Sequence, residues 1–359
     1  MLAKEAQNRE SFEIQAQYCE AMAAPRTAAA CRALGRTLSR DTATGRRVLD
    51  WAGEPVADAL VLRLVGGLHA LLRRTGDADL ARMFADGDDE AAARAVMRHD
   101  AALTAWLDGP PQTNEAARSA GLMTGLLHVA DTFGPRVEVL EIGSSAGLNL
   151  LIGRMRFDLG GVSAGPDASP LVIRPEWRGA PPPDVPIAVV GARGVDIAPV
   201  DVADPAQAER LEGYVWIDAQ ERLARLATAI AMVRAAPVEL AQGDAADWVE
   251  AQLARPQEAG ITRVLMHSVV WQYIPAAGRE RIRAAMAAAG ARATQERPLA
   301  WVMMEPNRDL HRHEVRVQRW PSTDPMALVA LTHAHGAWVE GLSPPYETRG
   351  YVMRRGAYE

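Results

Sequence analysis

Cysteine is almost missing from this chain: Cys19 and Cys31 are the only two thiols in 359 residues. They lie in helix-like sequence without C-x-x-C spacing. That excludes a disulfide framework and a thiolate-built zinc site, and leaves two reduced thiols in the core or at the surface. Lysine is scarcer still. Lys4 is the only one, so the cationic charge is nearly all arginine, and the formal balance is −6. A chain of that sign has no general attraction to phosphate backbones or anionic membranes, and no local basic patch stands out, so nucleic acid is not an expected partner. Long apolar runs are missing as well. None approaches the roughly 20 residues that span a bilayer, and residues 1–10 hold no apolar signal core, so no membrane association and a cytoplasmic location are expected.

What is there is an ordinary globular composition, 48% hydrophobic and 23% charged. A chain of this length can hold a large core and two domains. Residues 8 to about 133 read as a run of helices. Phe12, Ile14, Tyr18 and Met22 begin an amphipathic segment, Val56 to Leu72 is more apolar, and Val96, His99, Leu103 and Leu107 recur at helical spacing. His69 and His99 fall inside these helices and read as packed or solvent-facing.

The chain is organised around Val137 to Ile152. Its first six residues, Val137 to Ile142, read as a short buried strand, and Leu148 to Ile152 as the opening of an apolar helix. Gly143-Ser144-Ser145-Ala146-Gly147 is a tight connection between them. Such a turn is expected to leave backbone N–H groups facing a ligand. Three chemistries use it. A dinucleotide site wants G-x-G-x-x-G, and this loop fails at the second and third glycines. A hydrolase nucleophile elbow wants G-x-S-x-G, which Gly143, Ser145 and Gly147 satisfy literally, but that elbow follows several strands and this one is the first. The third is the E/D-x-G-x-G-x-G loop of class I S-adenosylmethionine-dependent methyltransferases, which Glu141, Gly143, Ser145 and Gly147 resemble with one Gly-to-Ser departure.

Upstream, Gly109-Pro110-Pro111 stops one helix, and Thr113 or Asn114 is a ready N-cap for the next, with Glu115 in its first turn. That helix, about 114 to 133, should run back along the 137–142 strand. At ~1.5 Å per helical residue against ~3.3 Å per strand residue, its start overhangs the strand's carboxyl edge, where open α/β sheets bind ligands. Gln112, Asn114, Glu115 and Arg118 would then stand beside the Gly143 loop.

Pro-Gln-Thr-Asn-Glu-x-x-Arg-Ser at 111–119, Leu-Glu-Ile-Gly-Ser-Ser-Ala-Gly-Leu-Asn-Leu at 140–150 and Arg-Gly-Val-Asp-Ile-x-Pro-Val-Asp at 193–201 resemble a bacterial family of uncharacterised proteins with a methyltransferase-like fold. The resemblance continues through Val215-Trp216, Glu221-Arg222, Gly243-Asp244, His267-Ser268 and His335-Gly336-x-Trp338, most of the chain beyond residue 10. It implies an α/β fold: a doubly wound, Rossmann-like, mostly parallel sheet over 113–359, with an insertion near 154–186, preceded by an all-helical cap at 1–112. It implies S-adenosylmethionine as cofactor, held by Glu141, Gly143, Ser144, Ser145, Gly147, Asn149, Asp196, Asp244 and Arg118. In that pattern the acid ending the second sheet strand takes the ribose hydroxyls. Asp196 fits only across an insertion, since it lies 49 residues after Gly147, and Asp201 is its rival. Asp244 would meet the adenine amino group, or cap the helix from Ala245, or both.

The insertion reads as a hairpin between Met155–Gly161 and Pro170–Arg174, and Ala208 to Arg234 as one helical stretch. Strands are expected at Val238–Ala245, Ile261–Met266, Leu299–Met304, Val315–Trp320, Ala327–His335 and Tyr346–Met353. His267 and Glu305 end two of them. His267 is the group suited to orient or deprotonate an acceptor, or else holds its loop structurally, with Glu305 and Tyr273 as further catalytic candidates. Gln112, Asn114, Glu115 and Trp271 are the substrate-binding candidates. His311-x-His313 and His333-x-His335 suggest a metal, but no H-E-x-x-H or cysteine cluster supports one, and methyl transfer needs none. The expected function is methyl transfer to a small-molecule oxygen or nitrogen acceptor seated under the helical cap. The alternatives are a Ser145 hydrolase and a non-catalytic S-adenosylmethionine binder. The sequence fixes no oligomeric state.

Overall fold

Capping residues cut the N-terminal third into short helices. In this computed structural model, which describes residues 2–308 and 312–347, they are α1 Leu2–Ala21, α2 Pro25–Thr37, α3 Ala43–Leu49, α4 Leu60–Thr75, α5 Ala78–Asp86, α6 Asp89–Arg98 and α7 Asp100–Thr104. Thr42, Asp77 and Asp88 accept backbone N–H groups at the starts of α3, α5 and α6, and Gly76 and Gly87 end α4 and α5 in the left-handed conformation. The later helices are α8 Ser119–Phe133, α9 Pro205–Gly213, α10 Gln220–Ala235, α11 Ala245–Ala254 and α12 Ala276–Gly290. Among the described residues no helix is long and apolar enough to cross a membrane.

The chain forms two bodies. The first is the chain up to Thr113 together with Val202–Ala227; the second is Asn114–Asp201 with the chain from Thr228 onward. This is not the single cut near 112/113 expected from the sequence. Val202–Ala227 joins the first body because its own polar and apolar groups are satisfied there. Asp218 caps α2, accepting from the N–H groups of Arg26 and Thr27 at 2.9 Å each and from the Thr27 hydroxyl at 2.6 Å. Ile217 is buried in a core with Phe12, Leu34, Leu64 and Phe84. Cys19 and Cys31 are buried in the same core. His69 is packed there too, with Nδ1 3.3 Å from the Gly213 carbonyl, while His99 meets Asp77 at 2.9 Å.

The second body is a mixed α/β unit around a large, mostly parallel sheet of nine strands. Its strands are β1 Arg136–Ile142, β5 Glu176–Gly179, β6 Ala188–Asp196, β7 Glu239–Gln242, β8 Thr262–Ser268, β9 Leu299–Asn307, β10 Arg312–Trp320, β11 Ala327–Thr332 and β12 Trp338–Gly341. The order is β5-β12-β11-β10-β9-β8-β1-β6-β7. From β7 to β9 all neighbours are parallel; β9 to β12 is an antiparallel meander, with β5 added parallel to β12.

Helices cover both faces. Leu140 and Ile142 of β1, Leu265 of β8, and Trp301 and Met303 of β9 pack with Val249 of α11 and with Ile282 and Met286 of α12. Alternate residues turn to the other face, where α8 lies so close that a Cβ on Gly125 would fall 2.5 Å from Val302 Cγ1. Gly125→Leu is therefore expected to destabilise the second body by about 2 kcal/mol or more through overpacking, read as a lower urea midpoint.

Local departures from the sequence expectations have plain causes. The hairpin expected between 155–161 and 170–174 does not form: β2 Arg156–Leu159 turns at Gly160-Gly161, both with positive φ, into β3 Val162–Ala164, and β4 Val172–Ile173 runs parallel to β2. Leu148–Gly153 is a 3-10 turn. The 208–234 stretch is two helices, α9 and α10, parted at Tyr214–Ala219. The helix ending at Phe133 is preceded by a 3-10 turn, Ala116–Arg118, capped by Glu115 itself, not by Thr113 or Asn114. Of the strand expected over Tyr346–Met353, Glu347 bridges Leu328; residues 348–353 lie outside the described residues, as does His311.

Candidate functional site

The parallel strands reverse their order at β1: β6 and β7 build outward on one side, β8 and β9 on the other. A reversal of this kind opens a crevice at the carboxyl edge, where the flanking crossovers diverge. The Gly143–Gly147 loop occupies that edge.

Three consecutive features make the loop tight. Gly143, Ser145 and Gly147 have φ of +68°, +52° and +72°. For Gly143 the space is also closed, since a Cβ there would lie 2.3 Å from Val270 Cγ2, while Ser145 holds this conformation with a side chain. The expectation of outward-facing amides is corrected by the hydrogen bonds. Ser144 N–H donates to the Val195 carbonyl at 3.1 Å, Ser145 N–H to Asp196 Oδ2 at 2.8 Å, Gly147 N–H to the Ser144 carbonyl at 2.7 Å and Leu148 N–H to Asn114 Oδ1 at 2.9 Å. These amides hold the loop closed instead of presenting it to an anion.

Three carboxylates stand at the same edge. Glu141 is the last but one residue of β1, Asp196 ends β6 and Asp244 follows β7, on three adjacent parallel strands in the order β7-β6-β1. The register fixes them to one edge: Ile142 pairs with Val195, and Asp196 with Gln242. Glu141 is 1% exposed. Burial pushes its carboxyl up to about 7, with the like charge of Asp196 adding to the rise and the Asn149 amide opposing it. Asn149 Nδ2 donates to Glu141 Oε1 at 2.9 Å, while Glu141 Oε2, Asn149 Oδ1 and the Ser145 hydroxyl are buried without a hydrogen-bond partner among the described residues. Asp196 also accepts from Ala198 N–H at 2.9 Å. Asp201 is exposed at the end of the segment, so it is Asp196 that is tied to the loop. Asp244 caps α11 through Oδ1, from Ala246 N–H at 2.8 Å and Asp247 N–H at 3.1 Å, leaving Oδ2 outside the cap.

On the other side of β1, the ends of β8 and β9 meet. His267 Nδ1 lies 2.6 Å from Glu305 Oε1, and the imidazole stacks on Trp271 with ring centres 5.2 Å apart and planes at 15°. Both residues were singled out from the sequence, but their pairing was not legible without the β8–β9 register. Trp271 is 2% exposed and forms the stacking wall; Tyr273, 75% exposed, stands on the surface of the same turn. Ile197, missed in the sequence reading, is 71% exposed directly after Asp196. An isolated exposed isoleucine beside an acid is a signal that only burial reveals.

The remaining candidates scatter. Asn114 is at the loop, as the helix-length argument expected. Glu115 is used in its own cap, accepting from Ala117 N–H at 3.0 Å, and Arg118 Nε donates to the Ala334 carbonyl at 2.9 Å, beside the β11–β12 turn. Gln112 lies in the first body. His333 and His335 touch edge to face, and His335 N–H donates to His333 Nδ1 at 3.1 Å, which takes that ring nitrogen's lone pair.

A family model described as "Uncharacterized protein conserved in bacteria (DUF2332)" matches residues 9–340. The chain belongs to this family. The match spans both bodies, so the helical first body and the Val202–Ala227 return are family features and not appendages. No curated protein matches the chain, and no solved structure matches it.

Proposed function

We propose that the second body binds S-adenosylmethionine and that the protein transfers its methyl group to a small-molecule acceptor. In this reading the sheet is a doubly wound, Rossmann-like one of the class I methyltransferase type. Its parallel order, β7-β6-β1-β8-β9, is that of a doubly wound sheet numbered 3-2-1-4-5.

One observation carries the choice of ligand: three carboxylates stand at the edge where the Ser144, Ser145, Gly147 and Leu148 amides are spent inside the protein. A pyrophosphate needs those amides and would be repelled by the acids. A phosphate-free nucleoside bearing positive charge suits them. The residues present fit such a group. Asp196 has lone pairs beyond the two it uses for Ser145 and Ala198, enough for ribose hydroxyls. Glu141 Oε2 and Asn149 Oδ1 are unpartnered buried acceptors for an ammonium, and Asp244 Oδ2 for an adenine amino group. Ile197 supplies an apolar wall for the base. The bound group supplies an electrophilic sulfonium methyl, transferred by in-line displacement. The chain's own task is alignment and exclusion of water. His267, walled by Trp271, handles the acceptor.

Calorimetry tests the reading: S-adenosylmethionine and S-adenosylhomocysteine should bind the full chain, and absence of heat from either at millimolar concentration would remove it. A Ser145 hydrolase has one observation in its favour, the positive φ of Ser145, which also marks a nucleophile elbow. Against it, no imidazole reaches the Ser145 hydroxyl among the described residues. A fluorophosphonate probe is expected to leave Ser145 unlabelled; labelling lost in Ser145→Ala would reverse this choice. A non-catalytic binder would show the same heats with no methylated product.

A further inference from the structure

Val269, the first residue beyond β8, has φ of +55°, a region that a β-branched side chain rarely enters. Strain of this kind persists only where the surroundings over-determine it. Here the turn aims the N–H groups of Val270 and Trp271 at Glu305 Oε1, at 3.1 and 3.3 Å. The same oxygen lies 2.6 Å from His267 Nδ1. An oxygen receiving two amide protons is an acceptor, so the third proton belongs to Nδ1, and the neutral ring carries its lone pair on Nε2. Nε2 is buried with no partner among the described residues, and so is the indole Nε1 of Trp301, whose ring centre is 5.9 Å from that of His267. Val270 fills the space against Gly143, so this turn abuts the loop assigned above to the cofactor.

We infer that His267 Nε2 is the proton acceptor for a weakly acidic hydroxyl, of the phenol or enol kind, on the acceptor molecule, with Glu305 as the positioning residue. The inference rests on the methyl-transfer reading for what the deprotonated oxygen does next. Three arguments favour a hydroxyl. Nε2 offers an unpartnered lone pair and the Trp301 indole an unpartnered proton in the same ring cluster, and hydroxyls, which both donate and accept, suit such a lining, whereas an alkylammonium has only protons to give. A neutral imidazole can take up the proton of a phenolic or enolic hydroxyl, but an alkanol is far too weak an acid. The imidazolium that results lies against the Glu305 carboxyl, whose Oε1 also accepts from the two turn amides. In the step, the O–H bond breaks, its electron pair stays on oxygen, the proton becomes Nε2–H, and nothing is oxidised or reduced. Three nearby ionisable groups face the pair, and burial keeps the pKa of one of them, His313, below its ordinary value. Glu314, opposite Glu305 across β9 and β10, is held by Arg312, Arg316 and Asn307, and Arg283 lies over Trp271 at 5.3 Å.

The test is nitrogen NMR of the full chain labelled with 15N-histidine, with His267 assigned by His267→Gln. His267 should carry its proton on Nδ1, and millimolar phenol should shift Nε2 toward the hydrogen-bonded position, while cyclohexanol shifts it less. A proton found on Nε2, or no shift with phenol, overturns the proposal. With S-adenosylmethionine present, Glu305→Gln should lower kcat for phenol methylation at least about tenfold with KM nearly unchanged, and Glu305→Asp should recover part of it. A merely structural Glu305 would lower stability and leave that split unmoved, which also overturns the assignment of Glu305. Failure of the cofactor reading is separate: calorimetry would then show no S-adenosylmethionine binding while the tautomer and the phenol shift stand.

Discussion

Asp196→Ala is expected to weaken S-adenosylhomocysteine binding by roughly a hundredfold or more, since a carboxylate accepting two ribose hydroxyls contributes about 3 kcal/mol or more. The carboxylate also holds Ser145 N–H at 2.8 Å and Ala198 N–H at 2.9 Å, so alanine should remove the proposed ligand contact and loosen the loop together. Asp196→Asn separates the two effects. It keeps an oxygen for one amide but brings an NH2 group where the second acceptor stood, so it should lose most of the affinity while keeping the fold. Calorimetry on the three proteins reads the result, with hydrogen exchange at Ser145 reporting the loop. Equal affinity in wild type and Asp196→Ala would remove the ribose assignment and leave cofactor binding intact.

The second large effect runs the other way. Glu141→Gln should make the second body more stable at pH 8, by on the order of 3 kcal/mol, because burial has raised the Glu141 carboxyl from its ordinary 4.5 to about 7. The folded chain holds this proton more tightly than the unfolded chain. Below pH 4.5 both states are protonated and the group contributes nothing to pH dependence. Between 4.5 and 7 the unfolded chain ionises first, so stability falls as pH rises, and above 7 the whole penalty is present. Glutamine has the same shape and still accepts from Asn149 Nδ2, but carries no charge to desolvate. Urea midpoints of the two proteins should nearly coincide at pH 4 and separate toward pH 8, and parallel curves would show that Glu141 is not a buried ionising group. The same substitution should weaken binding of a cationic ligand, a trade expected where a buried acid is kept for use instead of for stability.

Much of this was legible in the residues. The 137–142 strand, the tight loop and the helices before it follow from apolar periodicity and from where Gly and Pro fall. The approach of Asn114 to the loop follows from element lengths alone. The carboxyl-edge placement of Glu141, Asp196 and Asp244 followed once Asp196 was read as the end of the second sheet strand beyond an insertion. Other features depend on partners far away in sequence. Nothing local says that the loop amides of Ser145 and Leu148 close onto Asp196 and Asn114, because those acceptors lie 51 and 34 residues away. The His267–Glu305 pair needs the β8–β9 register, and the positive φ of Val269 contradicts the habit of its residue type. The Val202–Ala227 return is illegible for a similar reason: an amphipathic helix announces its apolar face but not which core will cover it.

That return has a consequence for how the polypeptide can be divided and made. Asp218 reaches back 191 residues to cap α2, and Ile217 completes the core around Phe12 and Leu64. A gene fragment stopping after the seventh helix encodes neither, and one starting at the first strand carries both without their sockets. On the ribosome, the first seven helices stay without their cap and core partner until the segment after the sixth strand has emerged, so the helical unit cannot be completed as its own helices are made.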